Sequence, residues 1–259
     1  MSLFLAGVPL WLGALLIVIL PTLIGMCGPI LVRRRFSLER LTTNNEIAGF
    51  KFATVGVIYA VLMAFAIIIV WERFADAENA VVQEAGAAAT LYRLAQDHDP
   101  DSSAMRAALS DYLNLALTRD WPQMARVHGS PEVTRSLDTL YARALALTRS
   151  GVPQPAVQME IFHQLDNMTQ ARRARLHLAT GIVPGVLWGV LVLGGVLTVA
   201  FTFFFGTRNL RAQVMMTGIL AVIVFMGLFV IVSINHPFTG PVHISGEPLA
   251  AVLEDLGSR

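Results

Sequence analysis

Asn44, Asn45, Glu46 and Lys51 put two amides, a carboxylate and an ammonium directly before an apolar run that begins at Phe52. Ionisable groups are costly in lipid, so such a cluster at the mouth of an apolar helix serves an ion path, a polar helix contact or an interfacial anchor. Asn45, Gly49, Ala53, Gly56 and Ala60 follow at i, i+4, i+8, i+11 and i+15, a spacing that shares one helix face. Small side chains there leave room for ions or for a neighbouring helix. The expected pore-lining or selectivity residues are therefore Asn45, Glu46, Gly49, Phe52, Ala53, Gly56, Tyr59 and Ala60. Phe50, Phe52 and Phe65 are candidates for hydrophobic constrictions that gate by dewetting, or else lipid-facing rings. The Tyr59 hydroxyl needs a partner inside a span and can bond across helices. Lys51, Arg208 and Arg211 supply positive charge for the inner mouth, and serve equally as topology anchors.

The element that carries these residues must cross a membrane. The chain is 55% hydrophobic and only 14% charged, against roughly 25% charged in ordinary soluble domains. Four charge-poor runs, 3–32, 52–71, 178–207 and 212–235, each reach the ~20 residues that span a bilayer core. The first has no basic residue before it and is too long for the apolar core of a cleaved signal, so it is expected to remain as a span. Pro9, Pro21 and Pro29 make it a candidate for kinks. Arg33, Arg34, Arg35, Arg40 and Lys51 in one short loop, and Arg208 and Arg211 in the other, place both loops in the cytoplasm. The long segment between the second and third spans is then extracytoplasmic. Arg172, Arg173 and Arg175 beside the third span point the other way, with less weight because long segments translocate largely regardless of charge.

The domain organisation follows: a first transmembrane hairpin (1–71), an extramembrane helical domain (72–177), a second hairpin (178–235) and a polar C-terminal tail (236–259). No proline interrupts the chain between Ile47 and Asp99, and Phe74, Ala77, Val81, Ala88, Leu91 and Ala95 keep helical spacing. The second membrane helix is therefore predicted to run from about residue 48 to 95. Asp97 to Ser102 read as a stop and a new helix start, and Trp121-Pro122 as an interruption. Ser130-Pro131-Glu132 read as N-cap, first-turn proline and first-turn acid, and Ser150-Gly151 as that helix's end. A last helix carrying Ile161, Leu165 and Met168 is expected to continue into the third span. The fold class is all-α, with four transmembrane helices and a helical bundle between helices two and three.

Enzyme signatures are largely missing, and no cofactor is expected. Glu160 and His163 form a single Glu-x-x-His element, whereas carboxylate di-iron sites need two with further glutamates. The sequence holds no phosphate-cradling glycine loop and no His-Glu-x-x-His metal motif. A formal net charge of +1 gives no ground for a nucleic-acid partner. The single cysteine, Cys27, has no partner in the chain, so disulfide chemistry does not identify a compartment.

The helix-two signature from Asn44 to Phe65 occurs in order with Trp71-Glu72, Leu91-Tyr92-Arg93, Phe201 to Gly206, Arg208 to Arg211 and His236 to Gly240. Together these resemble a widespread bacterial membrane family often called bestrophin-like, over nearly the whole chain. The resemblance implies a homo-oligomeric, mainly anion-selective channel of the bacterial inner membrane, with inorganic ions and the lipid bilayer as partners. Bestrophins are similar in having four membrane helices and a helical domain between the second and third. They hold that domain in the cytoplasm, opposite to the charge count here, and carry an acidic calcium clasp that this sequence lacks. The competing reading is a non-conducting membrane sensor or assembly scaffold whose outer domain binds a partner or ligand.

Overall fold

The computed structural model describes residues 9–43, 45–95, 100–149, 154–240 and 242–257. All its regular elements among these are helices. Four are long and apolar enough to cross a membrane: Leu10–Arg35, Asn45–Leu94, Gly185–Phe204 and Leu210–Ile234. The chain divides into two compact units, one of residues 1–72, 181–236 and 240–242, the other of residues 73–180, 237–239 and 243–259.

In the first unit α1 is Leu10–Arg35, with one π-helical turn at Leu15–Ile19. Pro21 lies two residues past the end of that turn, and Pro29 sits farther along inside the helix. A wider turn is a usual way for a helix to accommodate a residue that offers no backbone donor. A short helix α2, Leu38–Thr42, leads into α3, Asn45–Leu94, whose 50 residues form one continuous helix of about 75 Å. It matches the predicted span-plus-extension closely. α8 is Gly185–Phe201 and closes with a 3-10 turn at Thr202–Phe204, and α9 is Leu210–Ile234. Within the unit α1 packs along α9, and α8 packs beside it. Many large apolar side chains on these helices remain exposed, among them Phe50, Val57, Phe65 and Met216, as expected of surfaces that face lipid or other membrane helices.

The second unit contains α3 from residue 73 onward and six further helical pieces. These are α4 (Pro100–Leu115), a π-helical turn (Ala116–Asp120), α5 (Trp121–Met124), α6 (Pro131–Arg149), α7 (Pro155–Leu178) and α10 (Glu247–Gly257). Ala88, Leu91, Met105, Leu109, Leu113, Leu140, Leu147, Ile161, Leu165 and Met168 bury one face of each main helix in a common core. The Ser130 hydroxyl accepts from the Glu132 N–H at 3.2 Å, so the expected cap of α6 is present. The expected boundary residues Asp97 to Asp99 and Ser150-Gly151 lie outside the described residues.

Two expectations need correction. α7 does not continue into the third span: it ends at Leu178, and α8 begins at Gly185 behind Pro184. Proline restricts the residue before it to extended backbone, so an uninterrupted helix through 184 is disfavoured. The segment after Asn235, expected as a polar tail, contains the amphipathic helix α10. Its Leu249 is fully buried in the core, with Val252, Leu253 and Leu256 packed beside it. Glu247, Glu254 and Asp255 give this stretch its polar composition, while the helix turns its leucines inward.

Candidate functional site

α3 carries the expected pore-lining residues on one broad side. One edge of that side is held by the rest of the first unit. The Asn45 side-chain amide forms a two-way clamp on the backbone of Gly206: its Nδ2 donates to the Gly206 carbonyl at 2.7 Å, and its Oδ1 accepts from the Gly206 N–H at 3.0 Å. A Cβ at 206 would lie 2.7 Å from the Leu41 carbonyl carbon and from the Thr42 nitrogen, so only glycine permits this approach. Arg33 donates to the Thr207 carbonyl at 2.8 Å, and Gln213 donates to that of Phe205. Asn209 caps α9 by accepting from the N–H groups of Arg211 and Ala212. The two loops that the basic residues mark are thus tied together through backbone.

Phe52 lies on the same inward side, with ring centroids 5.7 Å from both Phe201 and Phe205. Tyr59 is buried and donates to the Leu191 carbonyl at 3.1 Å. Its ring and hydroxyl occupy space in front of Gly194 and Gly195, where an added Cβ would come within 2.8 Å. Each of these three side chains completes an intrachain contact, which explains its type without reference to a pore.

The adjoining strip of small residues is free of such contacts. A Cβ at Gly49 or Gly56 would meet nothing within 4 Å, so no neighbour in the described chain requires glycine at either position. Ala53, Ala60, Glu46 and Lys51 are exposed, and Glu46 makes no ion pair among the described residues. Arg208 and Arg211 are exposed at the start of α9. Along the small-residue stripe runs an apolar groove of about 410 Å³, lined by Phe52, Gly56, Tyr59, Ala60, Thr198 and Ile223 among others. Phe50 is 78% exposed and Phe65 61% exposed, apart from the Phe52 cluster.

A second polar cluster, which the sequence reading missed, lies in the second unit. Arg175 is fully buried and donates to both Glu84 oxygens, at 2.7 and 3.0 Å, and to Asp120 at 3.4 Å. Its guanidinium also stacks 4.7 Å from the Trp121 ring centre. Tyr112 donates to Glu84 at 2.6 Å. Arg172 donates to Asp120 at 2.8 and 3.3 Å and to the Ser130 carbonyl at 3.3 Å, while Asp120 also accepts from the Ser130 N–H at 2.7 Å. Two carboxylates and two guanidinium groups therefore neutralise one another and satisfy nearly every donor, which is the condition for keeping charge in a core. Burial pushes the Tyr112 hydroxyl well above its ordinary pKa, and the adjacent Glu84 charge pushes it further. For Arg175 burial acts downward, but Glu84, Tyr112 and Asp120 outweigh it and hold the pKa above the usual arginine value. The available signal was the i, i+3 pair Arg172 and Arg175 on one face of α7, together with an acid at Glu84 amid the alanine-rich face of α3. Glu160 and His163, by contrast, stand 3.7 Å apart on an exposed surface.

Comparison with known proteins agrees with this architecture. The family model for the Bestrophin-like domain matches residues 19–249. A crystal structure of a point variant of a bacterial bestrophin homologue from Klebsiella pneumoniae aligns with a TM-score of 0.75 at 13% identity, over 93% of this chain and 97% of that one. Another structure of that homologue, phased on zinc, gives 0.70 at 14% identity, over 92% and 95%. A further crystal structure, described as a membrane-protein variant, gives 0.76 at 14% identity, over 93% and 97%. The comparison with curated proteins gives no match. Identities this low establish a shared fold, and the family match spans most of the chain including α3 and both loops. The chain belongs to the Bestrophin-like family.

Proposed function

We propose that this chain is the subunit of a homo-oligomeric ion channel of the bacterial inner membrane, with α3 of each copy lining a central path. One observation carries the reading: beside the edge of α3 that its own chain fixes runs a strip of small residues, with Ala53 and Ala60 exposed and nothing in the described chain within 4 Å of a Cβ at Gly49 or Gly56. Small residues on a membrane helix are favoured where another backbone or a permeating ion comes close. Glu46 stands at the mouth of that stripe, and Lys51, Arg208 and Arg211 give the entrance its basic groups. Asn45, Phe52 and Tyr59 then act as supports: they set the rotation of α3 by fixing its inner side to Gly206, Phe201, Phe205 and Leu191. The fold likeness to a bacterial bestrophin homologue supports the same reading, and conduction is proposed to favour anions.

Planar-bilayer recording in asymmetric salt tests this. The expected result is a conductance with a reversal potential displaced toward that of the anion, and its loss or reduction in Gly56→Leu. A purified wild-type protein that is monomeric and conducts no ion above background overturns the proposal.

A further inference from the structure

The groove of about 410 Å³ between α3, α8 and α9 asks for an apolar occupant. Its two polar side chains are already engaged: Tyr59 donates to the Leu191 carbonyl at 3.1 Å, and the Thr198 hydroxyl to that of Gly194 at 2.7 Å. Gly56 and Ala60 form its α3 edge, where the absence of bulk lets another surface approach closely. α3 carries the matching shape on its other side. Ile58, Leu62, Phe65 and Ile69 recur at i, i+4, i+7 and i+11, share one face, and are 57, 39, 61 and 47% exposed. At about 100° per residue, this ridge lies roughly opposite Gly56 and Ala60 across the helix axis. The two sides also differ in charge. Glu46 stands two heptads before Ala60 on the groove side, and Lys51 one heptad before Ile58 on the ridge side. Both are exposed, and five residues of helix set them about 140° apart, too far round the axis to pair with each other. Neither forms an ion pair among the described residues.

We propose that the groove of one copy receives the α3 ridge of a second copy, so that subunits join head to tail around the central path. The inference rests on the channel reading for the existence of an oligomer and adds which two surfaces meet. Copies inserted the same way hold their α3 helices parallel. Groove and ridge lie on opposite sides of one helix, so a two-fold contact cannot use both: it would set groove against groove, with Glu46 facing Glu46, or ridge against ridge, with Lys51 facing Lys51. A heterologous contact instead sets bulk into recess and brings Lys51 of one copy beside Glu46 of the next. Repeated with a closing rotation, it generates a ring. Side chains filling such a recess supply the van der Waals packing that drives helix association in lipid. An acyl chain would also suit the lining, but it supplies no partner for Glu46 or Lys51.

Disulfide trapping in native membranes tests the contact, using the full-length chain in a Cys27→Ser background. Two double variants bracket the register: Ala60→Cys with Ile58→Cys, and Ala60→Cys with Leu62→Cys. Within one chain each pair points to opposite sides of the helix and cannot close. Between chains, a disulfide needs α-carbons within about 7 Å, which a close groove-and-ridge contact provides. Copies of one position stand at least a helix spacing of about 8–10 Å apart in such a ring, beyond that reach. After mild oxidation, at least one double variant should give a ladder from dimer to complete oligomer on a non-reducing denaturing gel, while each of the three single variants stays monomeric. As a second arm, Lys51→Glu should lower the oligomer fraction in mild detergent, and adding Glu46→Lys should restore it. This arm decides if the cysteine variants do not accumulate. Single variants that trap as dimers overturn the head-to-tail contact. So does a Lys51→Glu loss that Glu46→Lys leaves unrepaired, or a wild-type oligomer in which neither double variant is trapped; this last outcome leaves the groove to lipid. These results leave the channel proposal standing, whereas a wild-type chain that is monomeric by mass overturns both.

Discussion

Removing the Glu84 carboxylate tests whether the buried charges hold the second unit together. In Glu84→Ala the fully buried Arg175 loses the acceptors of its two shortest hydrogen bonds, at 2.7 and 3.0 Å, and keeps Asp120 only at 3.4 Å. Tyr112 loses its acceptor as well. Breaking a buried pair from one side leaves an uncompensated charge and typically costs about 3–5 kcal/mol. For a chain of this size each kcal/mol lowers Tm by about 2–4 °C, so a drop of roughly 6–20 °C is expected. Trp121 stacks on Arg175, so in a background with Trp11, Trp71 and Trp188 replaced by Phe its fluorescence during thermal unfolding in detergent reports on this region. The decisive comparison is a triple variant, Glu84→Leu with Arg175→Met and Tyr112→Phe. It removes the charge pair and the orphaned hydroxyl together and leaves Asp120 paired with Arg172. Apolar replacement of a whole buried pair is often neutral, so the triple variant should recover most of the single variant's loss. A Glu84→Ala shift under about 2 °C, corresponding to less than ~1 kcal/mol, would refute the reasoning. So would a triple variant no more stable than the single one.

Asn45→Ala removes both bonds to Gly206 and should cost about 1–3 kcal/mol, with faster proteolysis of the loop around residues 205–209; a loop as resistant as wild type would mean that the clamp does not hold it. Glu46→Gln should raise anion relative to cation permeability in asymmetric salt, because it removes one negative charge per subunit from the proposed mouth. An unchanged reversal potential at every pH tested removes Glu46 from the path. For orientation, a Cys27→Ser background carrying a cysteine at exposed Ser103 should react with a membrane-impermeant thiol reagent in intact spheroplasts, while one at exposed Ser37 should not. The reverse pattern would place the second unit in the cytoplasm.

Helix periodicity alone made α3 legible, because a proline-free stretch with apolar and small residues at helical spacing has no competing structure. The supports of α3 were not legible, although Asn45, Phe52, Tyr59 and the Phe201 to Gly206 stretch each stand out in the sequence. Asn45 and Gly206 are 161 positions apart, and nothing local tells a pore-facing amide from one that clamps a distant backbone. Tyr59 shows the same limit: its need for a partner followed from burial in a span, but Leu191 as that partner and the Gly194-Gly195 recess that admits its ring depend on how α3 meets α8. The buried Glu84 and Asp120 were invisible for a related reason. Each is one of several acids along its stretch of chain, and only the arrival of α7 distinguishes it from a solvated face. α10 was missed because its acidic residues were counted and the spacing of its leucines was not.

The same buried cluster changes the weight of the charge-based orientation argument. The opposing group was Arg172, Arg173 and Arg175, three cations beside the third span. Two of them are neutralised inside the second unit: Arg172 is 6% exposed and bonded to Asp120, and Arg175 is fully buried and bonded to Glu84. A cation paired in a folded core presents no free charge to a membrane surface, and only Arg173 of the three remains exposed. In the short loops, Arg34, Arg35, Arg40, Lys51, Arg208 and Arg211 are exposed. Even Arg33, half-buried, donates to a neutral carbonyl at Thr207 and keeps its full charge. The positive-inside bias counts Lys and Arg near span ends as helices insert rather than net charge, so the pairing bears on it only where the acids meet these arginines before the third span is committed. Glu84 already lies on α3 when α7 emerges, so the acid that neutralises Arg175 precedes it in the chain, as does Asp120 for Arg172.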